Sequence, residues 1–342
     1  MGIIKTIGKK TIYSLIVLIG LSVITFSMAR LMPGNTIRMA LGSRAPEWVV
    51  EKVIKENRLD EAIYKQYYYW FKNILHGNLG FSWLTGRSVM EDIKKFFPAT
   101  LEIAIYAIIF MGILGLLSGV IAGWFADSWI DNIIRVIAYT GSSVPSYVFA
   151  VFFMLIFSYK LQILPTIGRF PSGVIPPPAI THLITIDALL AGDFNAFFNA
   201  LKHLILPAIA LGMQPGTSAG RLIRAGIVEN TGKDYIVAAK SYGIPDRVIM
   251  LKYVLKPSII PAVSIFALSS ACIFVEAFII EGMFNWPGFA RYGMDALLSK
   301  DLNAISAVIL VVGVLYISAN IIADLTVFWL DPRIGIKIRS EE

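Results

Sequence analysis

Residues Gly232 to Pro261 read GKDYIVAAKSYGIPDRVIMLKYVLKPSIIP, a basic, well-patterned stretch lying between two apolar runs. Tyr235, Ala238, Ala239 and Tyr242 recur at helical spacing, and Gly243 stands where a helix ends in a left-handed cap. After Ile244, Pro245 suits the first turn of a second helix and Asp246 favours its N-terminus. In that second helix Val248, Leu251 and Leu255 form one apolar face, while Arg247, Lys252 and Lys256 stay wet. Pro257 and Pro261 then lead into the next apolar run. A helical hairpin between membrane spans, with its apolar stripe uncovered, needs a partner to cover it.

The surrounding chain sets the class. It has 342 residues, 56% of them hydrophobic and only 15% charged, with a mean hydropathy of +0.70. Soluble domains carry about 25% charged residues, so the expectation is an all-α polytopic membrane protein. The net charge of +7 raises nucleic acid as a partner, but the basic residues border the apolar runs, which points to a lipid membrane instead. Cys272 is the single cysteine, so no internal disulfide can form. His76, His182 and His203 are far apart in sequence and make no zinc pattern.

Six transmembrane helices are expected: Thr11–Leu31, Thr100–Trp124, Ile133–Tyr159, His203–Ile223, Ser258–Ile280 and Ile305–Leu330. The first is read as a retained span rather than a signal peptide, because no A-x-A-like site follows it. Residues 1–31 are then the N-terminus and first helix, 32–98 a small external domain, 99–330 the membrane core and 331–342 a tail. In the second span Thr100 is a candidate cap, Glu102 suits the helix dipole, and Gly112, Gly115, Gly119 and Gly123 permit close helix approach. The third is interrupted by Gly141, Ser142, Ser143 and Pro145, and the fourth is bent by Pro207 and by Gln214-Pro215-Gly216. The Pro-rich connection 160–202 contains an apolar stretch, Leu183–Leu190, too short to span. Lys5, Lys9, Lys10, Arg135, the basic residues from Arg221 to Lys256, and Arg333, Lys337 and Arg339 all fall on one side. The positive-inside rule puts that side, with both termini and the hairpin (225–257), in the cytoplasm.

Other motifs are weaker. Gly216-Thr217-Ser218-Ala219-Gly220 matches a G-x-S-x-G nucleophile elbow, but it lies in an apolar helical run where small residues serve packing. Thr231-Gly232-Lys233-Asp234 lacks the first glycine and the hydroxyl of a phosphate-binding loop, so no cofactor is expected in this chain and no enzymatic role. Glu276 and Glu281, acids within or ending a span, are candidates for substrate or proton handling, and for Glu281 a structural role is favoured.

Taken together, the chain resembles the membrane subunits of the dipeptide/oligopeptide class of ATP-binding-cassette importers. The hairpin resembles that superfamily's EAA loop through Asp234-Tyr235, Ala238-Ala239, Gly243 and Pro261, although Val237 stands where the heading acid would be. The likeness extends to Pro33-Gly34-Asn35, Gly77 to Ser82, Pro98 to Glu102, Ser143 to Ser146, His203 to Pro207, Glu281 through Trp286-Pro287-Gly288, and Asp331-Pro332-Arg333. It implies a permease in the cell membrane that pairs with a second similar permease subunit. Two cytoplasmic ATPase subunits, which bind ATP and Mg, would dock on the hairpins at Gly243 to Asp246. An extracellular substrate-binding protein would deliver the substrate, with the 32–98 segment helping to hold it. Pro145 and Gln214 would line or gate the path. The family carries peptides most often, and oligosaccharides or nickel are alternatives. From a different class, a stand-alone proton-coupled secondary transporter using Glu276 or Glu281 is the rival.

Overall fold

A computed structural model of the protein describes residues 2–31, 46–56, 58 and 60–330. Pro33-Gly34-Asn35, Asp331-Pro332-Arg333 and the rest of the 331–342 tail lie outside the described residues. The regular structure of the described chain is helical apart from one two-stranded antiparallel ribbon. In order it runs α1 (Gly2–Leu31), α2 (Glu47–Glu56), α3 (Ile63–Leu75), β1 (Phe81–Ser82) and β2 (Arg87–Ser88). It continues with α4 (Val89–Trp124), α5 (Trp129–Ser143), α6 (Ser146–Phe153), α7 (Ile184–Leu190) and α8 (Phe194–Thr231). The hairpin helix α9 (Asp234–Ser241), the long α10 (Asp246–Met283), α11 (Phe289–Leu298) and α12 (Leu302–Leu330) complete it.

Among the described residues, four helices are long and apolar enough to cross a membrane: α4, α8, α10 and α12 over Leu302–Ile322. A fifth crossing arises if α5 and the segment Ser146–Lys160 are one broken span; they meet at 110°. Gly141 to Pro145 does break the third apolar run, and far more sharply than a kink. Pro145 has no N–H to continue the ladder, and the chain at Val144 is extended. In α1 the apolar part among the described residues is Ile12–Met28, and the helix packs along α12.

The centre of the molecule is the pair α4 and α8, which approach along small residues. A Cβ built on Gly119 would lie 2.6 Å from the Ile223 Cβ and 2.7 Å from the Gly220 carbonyl oxygen, so only glycine allows this approach. In lipid, where apolar side chains gain little from avoiding the solvent, such backbone proximity is what holds helices together. Gly115 and Gly123 face α8 in the same way, whereas Gly112 meets Phe266 of α10. Gly216 and Gly220 of the supposed nucleophile elbow are part of this seam, inside a continuous helix. That removes the strand-to-helix turn the motif requires.

The second span starts earlier than expected. Ser88, not Thr100, caps α4, accepting from the Glu91 N–H, and the helix runs through Pro98. The 98/99 boundary therefore falls within a helix. Thr100 and Glu102 are instead committed to tertiary contacts. Buried Glu102 accepts from Arg169 at 2.6 and 2.9 Å and from the Thr185 N–H and Oγ1 at 2.8 and 2.7 Å, fastening the 160–183 connection.

The described part of the 32–98 segment leans on the membrane part, as its small size requires. Phe26 of α1 packs against Tyr67 and Trp70 of α3, and Ser22 Oγ is 2.8 Å from Tyr67 Oη. At the ribbon, Ser82 Oγ and the Leu84 N–H both donate to Asp301, whose other oxygen caps α12 at Ala304.

Candidate functional site: a coupling hairpin beneath a charged cavity

The hairpin forms as its local chemistry dictates. Gly243 has φ +72°, its N–H donates to the Lys240 carbonyl, and the Ile244 N–H donates to Ala239. These two bonds are the Schellman pattern, and they need a left-handed residue at that one position. Beyond Pro245 the chain departs from the expected short second helix. Asp246 to Met283 is continuous and runs through Pro257 and Pro261, so the second arm of the hairpin and the fifth span are one element. Its segment Ile249–Leu255 is π-wound. A π turn brings i and i+5 onto one face, so the buried pair is Ile249 and Val254 rather than Val248, Leu251 and Leu255.

Ile249 and Val254 pack with Ile236 and Ala239 of α9, with Ile223 and Ile227 of α8, and with Ala262. Tyr235 Oη donates to Asn230 Oδ1 at 3.0 Å, and Asn230 Nδ2 donates to Ser258 Oγ at 3.1 Å. The hairpin is thus built into the ends of α8 and α10. Its outer surface remains apolar: Tyr242 is 86% exposed, Leu251 64% and Val237 62%, with Tyr235 and Val248 also open. Asp234, Ala238, Pro245 and Asp246 share this exposed surface, whereas Ala239 is buried and Ile244 partly so.

Above the hairpin, α8 and α10 form the walls of a half-open cavity of about 550 Å³. Gln214, Ser218 and Arg221 line it from α8, Cys272 and Glu276 from α10, and Tyr139 from α5. Gln214 Nε2 reaches the Ser142 carbonyl at 3.4 Å, and the Glu276 carboxylate bonds the hydroxyl of Ser146, next to Pro145. Three of the four sequence candidates for the path, Pro145, Gln214 and Glu276, therefore converge around the break between α5 and α6.

Glu281 does not join them. It is fully buried, accepts from Thr100 Oγ1, and takes the N–H groups of Ala290 and Arg291 at the start of α11. Thr100 Oγ1 also accepts from the Phe289 N–H at 2.7 Å, and Trp286 Nε1 donates to the Ala99 carbonyl at 3.0 Å. A carboxylate on a helix N-terminus satisfies orphan donors and suits the dipole. That gives Glu281 a structural place, the role favoured for it from the sequence.

Two features were missed in the sequence. Arg221 counted only as a flanking charge, although it lies inside the apolar run that ends at Ile223; a cation within a span is itself the signal. Asp131, which falls between the expected second and third spans, is fully buried and receives Arg224 through two bonds of 2.6 Å, pinning the start of α5 to α8.

Fold and site thus define a multi-pass membrane protein whose cavity walls extend into one surface hairpin. The chain belongs to the family described as "Binding-protein-dependent transport system inner membrane component", which it matches over residues 115–336. Residues 3–104 match the N-terminal part of that family's membrane component, so the likeness takes in α1 and the 32–98 segment. Among its relatives is the "Probable D,D-dipeptide transport system permease protein DdpB" of Escherichia coli K12, 36% identical over 320 residues and 94% of each chain. The dipeptide transport permease DppB of Alkalihalophilus pseudofirmus is 34% identical, over 93% of this chain and 95% of its own. The di/tripeptide permease DppB of Pseudomonas aeruginosa is 32% identical, over 92% of this chain and 94% of its own.

Proposed function

We propose that this chain is the permease subunit of an ATP-binding-cassette importer for short peptides, forming half of the translocation path. The observation that carries the reading is that α8 and α10 wall the cavity and also end in the hairpin, packed with it as one body. A push on the hairpin therefore changes the cavity without an intermediate hinge. The exposed apolar surface of Tyr242, Val237 and Leu251 fits a groove on a cytoplasmic ATPase subunit. Two such subunits bind ATP and Mg, a second similar permease subunit completes the path, and an external binding protein, held in part by the 32–98 segment, delivers the substrate. Six spans follow when α1 and the broken pair each cross, with both termini in the cytoplasm. The names of the relatives favour peptides over oligosaccharides or nickel as cargo.

A photo-crosslinking residue in place of Tyr242, introduced into the co-expressed complex, tests this. The expected adduct is with a nucleotide-binding subunit, and Gly243→Pro abolishes it together with uptake. Adducts confined to lipid, or to an external protein, would sink the reading.

A further inference from the structure

The cavity between α8 and α10 holds a cation and a carboxylate that form no ion pair with any described residue. Arg221 Nε is buried without a hydrogen-bond partner, and its guanidinium lies 5.3 Å from the centroid of the Tyr139 ring. Glu276 Oε2 is likewise buried and, among the described residues, unpartnered, while the carboxylate bonds Ser146. Among the described residues no ion pair joins the two. An orphaned buried donor or acceptor on a charged group carries its full desolvation cost. Residues kept only for packing would avoid that cost.

The two charges also have a fixed direction. The helices are antiparallel, with Gly226 against Ser258 at the hairpin end. Arg221 therefore lies toward the hairpin, and Glu276 lies toward the opposite end of the cavity. Between them stand neutral polar groups, Gln214, Ser218 and Ser269, together with the thiol of Cys272. A ligand that satisfies both orphans carries an ammonium at one end, a carboxylate at the other and little required charge between.

We propose that this cavity is a transit site for zwitterionic short peptides, in which Glu276 receives the α-ammonium and Arg221 the α-carboxylate. The inference rests on the importer reading and deepens it: the permease itself, and not its delivery partner alone, checks both peptide termini. A planar guanidinium suits a carboxylate in two-point contact, and the ring of Tyr139 holds that plane in place.

Cys272, the single cysteine of the chain, lines the site and serves as its reporter. The assembled transporter is placed in proteoliposomes, alkylated with N-ethylmaleimide, and the Cys272 peptide is quantified by mass spectrometry, with ATP-driven uptake measured in the same vesicles. Dialanine should slow alkylation about tenfold, the ratio expected for charge-assisted bonds, whereas N-acetyl-dialanine and dialanine amide should protect far less. Glu276→Gln should erase the difference between free and N-acetylated peptide, and Arg221→Gln the difference between free and amidated peptide. If blocked and free peptides protect wild type equally, or none protects while ATP-driven uptake persists, the transit site is wrong and the importer reading stands. If uptake itself proves independent of ATP, both fall.

Discussion

Asn230 Nδ2 donates to Ser258 Oγ at 3.1 Å, which ties the last turn of α8 to α10 where the hairpin joins both. The same Ser258 hydroxyl donates to the Val254 carbonyl at 2.6 Å, so the π-wound arm belongs to the junction. Movement of the hairpin therefore reaches both cavity walls through one hydrogen-bonded knot.

Weakening that knot should separate hydrolysis from transport. Asn230→Ala removes the bonds to Ser258, Tyr235 and the Gly226 carbonyl; each neutral bond is worth about 1 kcal/mol, so the loss is at least about fivefold in an equilibrium. Uptake per ATP hydrolysed should fall by about that factor while hydrolysis by the assembled complex continues. Gly226→Val should do more, because its Cβ would lie 2.9 Å from the Ser258 Cα and drive the helices apart. Equal coupling ratios in all three proteins would contradict the lever.

The α4–α8 seam should be intolerant of volume. Gly119→Val places a branched side chain against Ile223 and the Gly220 carbonyl, and overpacking of this kind costs about 1–3 kcal/mol. Thermal unfolding in detergent should show a lower midpoint than wild type, whereas Gly20→Ala, where a Cβ meets nothing within 4 Å, should leave it unchanged.

Glu281 separates the structural reading from proton coupling. Glu281→Ala strips acceptors from Thr100 and from the N–H groups of Ala290 and Arg291, a loss of about 1–3 kcal/mol. Glu281→Gln keeps one acceptor and cannot carry a transported proton. It should retain most uptake with only a modest fall in stability. Abolished uptake in a fully stable Glu281→Gln protein would favour a proton site.

The Asp131–Arg224 pair should behave as a buried ion pair. Asp131 is fully buried and the Arg224 side chain is 19% exposed, so Asp131→Asn leaves an uncompensated cation and costs about 3 kcal/mol. The double variant Asp131→Asn with Arg224→Gln should recover part of this. Additive losses in the double-mutant cycle would refute the pairing.

What the sequence made legible was local. The cap at Gly243 needs only residues 239 to 244, and the glycine spacing in α4 needs only its own helix, so both were readable. The π turn was not, because periodicity at i+3 and i+4 selects Val248, Leu251 and Leu255, whereas an i+5 repeat buries Ile249 and Val254. Thr100 carried the appearance of a helix cap, yet its partners Glu281 and Phe289 come from the far end of the chain. The cavity was half legible: Glu276 was conspicuous as an acid in an apolar run, while Arg221 merged with the flanking charges that orient the protein.

The most direct test of the whole account is reconstituted uptake of labelled dipeptide, comparing this chain alone with its co-purified assembly, with and without ATP. Accumulation should occur only in the assembly and only with ATP. If the isolated chain concentrates peptide when a proton gradient is imposed, with no nucleotide present, the hairpin is not a handle for an ATPase and the account is wrong.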